Sequence, residues 1–154
     1  MKARTTALYL VVCLVGAIVC LAADGFMGTW KLNEAKSKIG PGAPKNSTVV
    51  YEAAGDSIKV TIEGTGGDGK PLHSEWTGQF DGKDYPVTGD PNTDMRSFKK
   101  VDDHTLMVTQ KKGDKVTTTA KIVLSADGKS RTVTATGTDA SGKNVSSTAV
   151  YDKQ

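Results

Sequence analysis

The chain has 154 residues, of which 24% are charged and 6% aromatic, with a formal net charge of +3. This length predicts a single domain, and lysines scattered among acidic residues exclude the basic patch of a nucleic-acid-binding protein. The two cysteines, Cys13 and Cys20, both lie in the first 22 residues, so the remainder holds neither a disulfide nor a cysteine-based metal site.

The N-terminal segment has the features of a secretory signal peptide. Lys2 and Arg4 precede an apolar run over residues 7–21, and the small residue Ala22 follows it. The run is shorter than the roughly 20 apolar residues of a membrane-spanning helix. We therefore predict that residues 1–22 are cleaved, that the protein is secreted or periplasmic, and that the mature chain does not insert stably into a membrane.

Residues 23–154 read as one all-β domain. Short turn signals that pair Gly with Asp, Ser or Lys recur between stretches rich in Val, Ile and Thr. Apolar and polar residues alternate along these stretches, as expected of strands with one buried face. The pattern predicts about 8–10 strands, in the ranges 26–33, 48–54, 57–64, 71–80, 84–88, 95–101, 105–111, 115–125, 130–138 and 144–152.

Two segments depart from the strand pattern. Residues 33–38, "NEAKSK", can form one helical turn and no more. Residues 37–47, "SKIGPGAPKNS", carry two prolines and two glycines and predict a long loop. This loop either folds over one end of the domain as a lid or serves only as a connection.

Tight turns between successive strands favour an antiparallel up-and-down meander. A meander with this many strands hides its edges by closing into a barrel. A two-layer sandwich is the alternative, but sandwiches favour longer crossover connections. We therefore predict a closed antiparallel up-and-down barrel.

The triplet Gly28-Thr29-Trp30 stands early in the first predicted strand. Together with "DGKDYPVTGDPN" at 81–92 and the hairpin meander, it resembles the Gly-x-Trp signature of lipocalins and their calycin relatives. The chain is similar to small bacterial secreted proteins described as lipocalin-like. The resemblance implies a barrel floor made by Gly28, Trp30 and an arginine from a late strand, which is best matched by Arg131. We expect Arg131 to make a cation–π contact with Trp30, and Gly28 to let a neighbouring backbone or ring approach closely.

The strand alternation also predicts what faces the interior. Many inward positions carry small side chains, which favours a mildly polar cavity over a filled core. Interdigitation of large and small side chains is the alternative. The predicted ligand-binding residues are Trp76, Phe80, Tyr85, Tyr51, Ser74 and Thr118.

No catalytic constellation stands out. The alternation along their strand places His73 and Glu75 on the outer face, and His104 follows two aspartates in a turn. We expect no cofactor, no metal site and no catalytic residue. An enzyme would need inward-facing ionisable groups, for which Glu52, Asp84, Arg96 and Lys99 are the candidates, and the alternation places almost none inside.

The sequence thus favours a monomeric, non-catalytic, lipocalin-like barrel that binds a small, mostly hydrophobic or amphipathic ligand. Two alternatives remain open. One is an isomerase or hydrolase on the same kind of barrel. The other is an envelope interaction or structural barrel with a filled core.

Overall fold

The structure is a computed structural model that describes residues 25–154. The predicted signal peptide lies outside these residues. The elements, in chain order, are β1 (Gly28–Leu32), a 3-10 turn (Glu34–Lys36), β2 (Lys38–Ile39), β3 (Lys45–Ala54), β4 (Ser57–Thr65), β5 (Pro71–Gly78), β6 (Tyr85–Thr88), β7 (Met95–Asp102), β8 (Thr105–Lys112), β9 (Lys115–Leu124), β10 (Ser130–Thr138) and β11 (Asn144–Lys153).

The strands form one closed antiparallel barrel. Each strand from β3 to β11 pairs with its neighbour in sequence, and β1 pairs with both β3 and β11. The two-residue β2 lies further along β11, so β1 and β2 together complete a ring of ten strands. This closure confirms the predicted up-and-down barrel and rules out two separate layers.

Hairpin turns set the direction of the strands. In the turn between β9 and β10, the backbone N–H of Lys129 donates to Oδ1 of Asp127 at 3.0 Å. Gly128 follows that aspartate with a φ of +68°, a conformation that glycine adopts without steric cost. A turn of this kind reverses the chain direction within a few residues. The meander could therefore be recognised from the sequence.

The barrel interior differs between its two ends. The end that holds the chain terminus at Gln154 and the β9–β10 turn is packed with aromatic rings, and we call it the floor. The other end holds the β4–β5, β8–β9 and β10–β11 turns, and we call it the mouth. Inward residues of β9 and β11 near the floor, such as Ile122, Leu124 and Tyr151, are buried, whereas Thr118 and Val145 near the mouth are only half-buried.

The first third of the barrel departs from the sequence prediction. The predicted strand 26–33 is shorter, and β3 begins at Lys45 instead of residue 48. Ser37 explains the break after β1, because its Oγ accepts from the N–H of Val150 at 2.9 Å and donates to the carbonyl of Asn33. Within residues 25–154 no helix is long and apolar enough to cross a membrane.

The predicted long loop shrinks to residues 40–44 and lies at the mouth. Gly42 lies close to the β10–β11 turn, because a Cβ atom added to it would contact Asp139 and Val145. On its other side, a Cβ atom added to Gly67 would lie 2.1 Å from the carbonyl oxygen of Gly42. Glycine is therefore required at position 67, and the loop bridges two hairpin turns across part of the mouth.

Candidate functional site

The floor is built around Trp30, which is completely buried. Its indole Nε1–H donates to the carbonyl oxygen of Phe26 at 2.8 Å. The guanidinium of Arg131 lies over the indole ring, 4.7 Å from its centroid, and the ammonium of Lys153 lies 5.3 Å from it. A cation over an aromatic face is attracted by the ring's quadrupole. Trp30 is therefore fixed by a hydrogen bond at its edge and by cations over its ring.

Gly28 has a different role from the one expected. The nearest atom to an added Cβ is the flexible Cε of Lys153, at 3.4 Å, so close approach does not require glycine here. Instead the backbone φ is +104°, which residues with a side chain rarely adopt. Gly28 therefore allows the chain to turn into β1 just before Trp30.

Four of the six predicted ligand-binding residues meet in one aromatic cluster above the floor. Trp76 packs against Phe80 and Tyr85, with ring centroids 6.4 Å and 5.7 Å away, and Tyr51 lies 6.4 Å from Phe80. Phe98, which was not among the predicted residues, lies at the centre of the cluster, 4.6 Å from Trp76. The rings pack on one another, so this part of the interior is filled.

The other two predicted residues stand apart from that cluster. Ser74 faces inward from β5 and is fully buried, and its Oγ has no hydrogen-bond partner among residues 25–154. Thr118 faces inward from β9 near the mouth and is half-buried. The structure therefore does not bring all six predicted residues into one site.

The mouth is lined by small side chains. Ala120, Ala135 and Ser147 stand side by side on β9, β10 and β11, and Thr118 and Gly137 follow one step closer to the mouth. A hollow of about 510 Å³ lies at the same ends of these strands, but most of its lining, within residues 116–119, 136–138 and 144–146, belongs to outward-facing positions of the wall.

A second, smaller hollow lies in the barrel wall. It measures about 200 Å³ and sits where β2 and β3 do not pair, beside the inward side chains of Leu32 and Ile39. The ion pair between Lys45 Nζ and Glu34 Oε1, at 2.8 Å, crosses this gap on the outside.

Arg96 is the exception among the four ionisable candidates, of which the alternation placed almost none inside. It lies on β7 and is 2% exposed. The other three candidates, Glu52, Asp84 and Lys99, are exposed. The signal was present in the alternation, since Arg96 stands two residues from the buried Phe98 and shares its face.

Burial sets the ionisation of the interior groups. It lowers the pKa of Arg96, against the opposing fields of Asp90 and Tyr51. It raises the pKa of the Tyr151 phenol to about 12, although the charge of Arg131 opposes this shift. Tyr151 is therefore neutral at physiological pH, and its hydroxyl donates to the carbonyl oxygen of Asn46 at 3.0 Å.

The histidines lie outside the barrel. His73 is exposed, and its Nδ1 lies 2.5 Å from Oε1 of Glu63 on the outer face. Glu75 is bound there by Lys59, whose hydrogen bond lowers the pKa of the Glu75 carboxyl. His104 is exposed at a turn. Within the described chain no group of three or more His, Cys, Asp or Glu side chains could hold a metal ion.

A scan against models of known protein families found no match, and a search of curated proteins found none. Three solved structures of barrels are similar. They are EF1p2_mFAP2b bound to DFHBI (13% identity, TM-score 0.49, covering 87% of this chain and 98% of that one), the redesigned β-barrel mFAP1 bound to DFHBI (16%, 0.45, 86% and 99%), and a de novo designed fluorescence-activating β-barrel (13%, 0.43, 87% and 98%). Likeness of this degree says nothing about what this chain binds.

Proposed function

We propose that this protein is a lipocalin-like carrier, which binds a small, mostly hydrophobic molecule inside the mouth of its barrel without catalysing a reaction. The observation that carries this proposal is the contrast between the two ends of the interior. Aromatic rings fill the floor, whereas the inward positions of β9, β10 and β11 toward the mouth carry small, mostly half-buried side chains.

A rigid closed barrel suits this role. Its wall is continuous except beside β2, so an occupant of the mouth would be surrounded on most sides without any change of fold. Hydroxyl groups of Thr118 and Ser147 among the alanines could bind water or a polar part of the ligand. The aromatic cluster supports the site from below as a preformed apolar surface.

Binding can be tested with the neutral fluorophore N-phenyl-1-naphthylamine. We expect saturable, one-to-one enhancement of its fluorescence, checked by native mass spectrometry. An Ala135→Phe variant places a ring among the small mouth residues and should abolish binding. Thr134→Phe adds the same ring to the exposed outer face of the same strand and should leave binding unchanged. Equal binding by both variants would contradict a site inside the barrel.

We further propose that the carrier works outside the cytoplasm as a monomer, after removal of residues 1–22. The support is the charge and hydropathy pattern of that segment. Intact mass analysis of protein recovered from the periplasm or the medium should show a chain that begins at or next to residue 23. Recovery of the full-length chain from the cytoplasm alone would contradict secretion.

A further inference from the structure

Two arginines are buried inside the barrel, and their surroundings differ. The guanidinium of Arg131 lies over three aromatic rings, 4.7 Å from the centroid of Trp30, 4.9 Å from that of Tyr51 and 5.0 Å from that of Tyr151. These faces compensate its loss of hydration. Arg96, equally buried at 2% exposure, lies over no aromatic ring and forms no ion pair with any residue between 25 and 154.

Two side-chain nitrogens of Arg96 also lack partners. Its Nε and Nη1 atoms are buried and have no hydrogen-bond partner in the described part of the chain, as is true of the same two atoms of Arg131, so the aromatic rings are what distinguishes the two sites. A guanidinium carries five N–H donors and keeps its proton in proteins, so Arg96 stays charged despite its lowered pKa. A buried charge without partners is costly, and proteins normally avoid it.

No side chain of the described interior neutralises this charge. The buried polar and charged residues are Ser74, Thr93, Arg96, Ser97, Thr105 and Arg131, and none of them is acidic. Asp90, in the turn between β6 and β7, acts on Arg96 only through its field and is half-buried at the mouth. Tyr151 is a neutral phenol because burial raises its pKa. The interior is therefore positively charged and lacks an anion.

Arg96 also has a fixed place next to the apolar part of the interior. Its backbone carbonyl accepts the indole N–H of Trp76 at 2.8 Å, and in the ladder it stands opposite Tyr85 on one side and Gln110 on the other. The aromatic cluster thus lies on one side of Arg96, and on the other side its row in the ladder continues through Gln110 to Thr118. Ser74, whose buried hydroxyl also has no partner among residues 25–154, faces the same interior.

From these observations we propose that Arg96 binds the carboxylate of the carrier's ligand, so that the ligand is a small amphipathic acid with an apolar body. This inference rests on the proposed function and specifies its ligand class. A carboxylate accepts hydrogen bonds from a guanidinium in a matching planar geometry and supplies the missing negative charge. The apolar body would then lie along the small inward side chains of β9 and β10, beginning at Thr118.

The test compares decanoate with 1-decanol. The two compounds have alkyl chains of the same length and differ in charge at about pH 8. Each compound displaces N-phenyl-1-naphthylamine from the wild-type protein. We expect decanoate to bind roughly tenfold or more tightly than decanol, because charged hydrogen bonds are the stronger ones. Equal affinities would overturn the anion site and leave the carrier function standing, whereas failure of the fluorophore itself to bind would overturn the carrier function.

Two variants then assign the preference to one residue. Arg96→Met should bring the ratio of the two affinities close to one, while the ligand-free variant unfolds at the same or a higher urea concentration than wild type. Lys99→Met removes a positive charge from the exposed face of the same strand and should leave the ratio unchanged. An undiminished ratio in Arg96→Met, or an equal loss in Lys99→Met, would overturn the assignment. If Arg96→Met does not fold, the wild-type ratio still decides the proposal.

Discussion

Replacement of Trp30 by phenylalanine tests how strongly the floor of the barrel is held. The smaller ring leaves the carbonyl oxygen of Phe26 without its donor, now 2.8 Å away, at a cost of about 1–3 kcal/mol. A residual void of about 40 Å³ adds roughly 1 kcal/mol at about 24 cal/mol per Å³. We therefore expect Trp30→Phe to lower the free energy of unfolding by about 2–4 kcal/mol, a large share of the roughly 5–15 kcal/mol typical of a domain.

Urea unfolding measures this loss. The transition is followed by the fluorescence of Trp76, which remains in the variant, and by far-ultraviolet circular dichroism. For a slope of about 2 kcal/mol per M, the midpoint should fall by about 1 M or more. Val116→Ala, at an exposed valine, is the control and should change stability by less than about 0.5 kcal/mol. A midpoint for Trp30→Phe equal to that of the control would refute the view that this hydrogen bond and this volume hold the floor.

Three further predictions concern the loop, the interior tyrosine and the gap in the wall. In Gly67→Ala, the new methyl group would clash with the carbonyl of Gly42. The variant should therefore be less stable by about 1–3 kcal/mol, and proteolysis within residues 40–44 should be faster. Unchanged proteolysis would contradict this contact. The pKa of Tyr151 is about 12 in the folded chain against an ordinary 10.0, so the unfolded state loses the proton first and stability should fall by about 2 kcal/mol as the pH rises from 10 to 12. Denaturation curves across that range should show a smaller fall for Tyr151→Phe, and an identical fall would assign the effect elsewhere. Glu34→Gln, which breaks the exposed ion pair with Lys45, should change the unfolding free energy by less than about 1 kcal/mol, and a thermal melt that shows a larger loss would mean the pair holds the wall closed.

The alternation of residues along each strand was sufficient to predict most of the barrel. Ile58, Val60 and Ile62 alternate with polar residues, and all three are buried. The turn signals predicted the direction of nearly every strand, because an Asp-Gly or Ser-Gly turn reverses the chain within a few residues. The helical turn after the first strand was predicted, but the short strand β2 escaped prediction, because it forms only by pairing with β11, more than 100 residues away.

The sequence by itself determined which face of each strand points inward, and therefore that the first tryptophan is buried in a closed all-β domain. Only the tertiary structure decided which inward side chains meet. Two residues on the same face can lie at different heights in a barrel, and the register of ten strands, which no local pattern contains, sets those heights. For that reason four predicted ligand residues turned out to pack on one another around Phe98. For the same reason the guanidinium of Arg131 lies against three rings, while that of Arg96, which is just as buried, lies over no ring of the described chain.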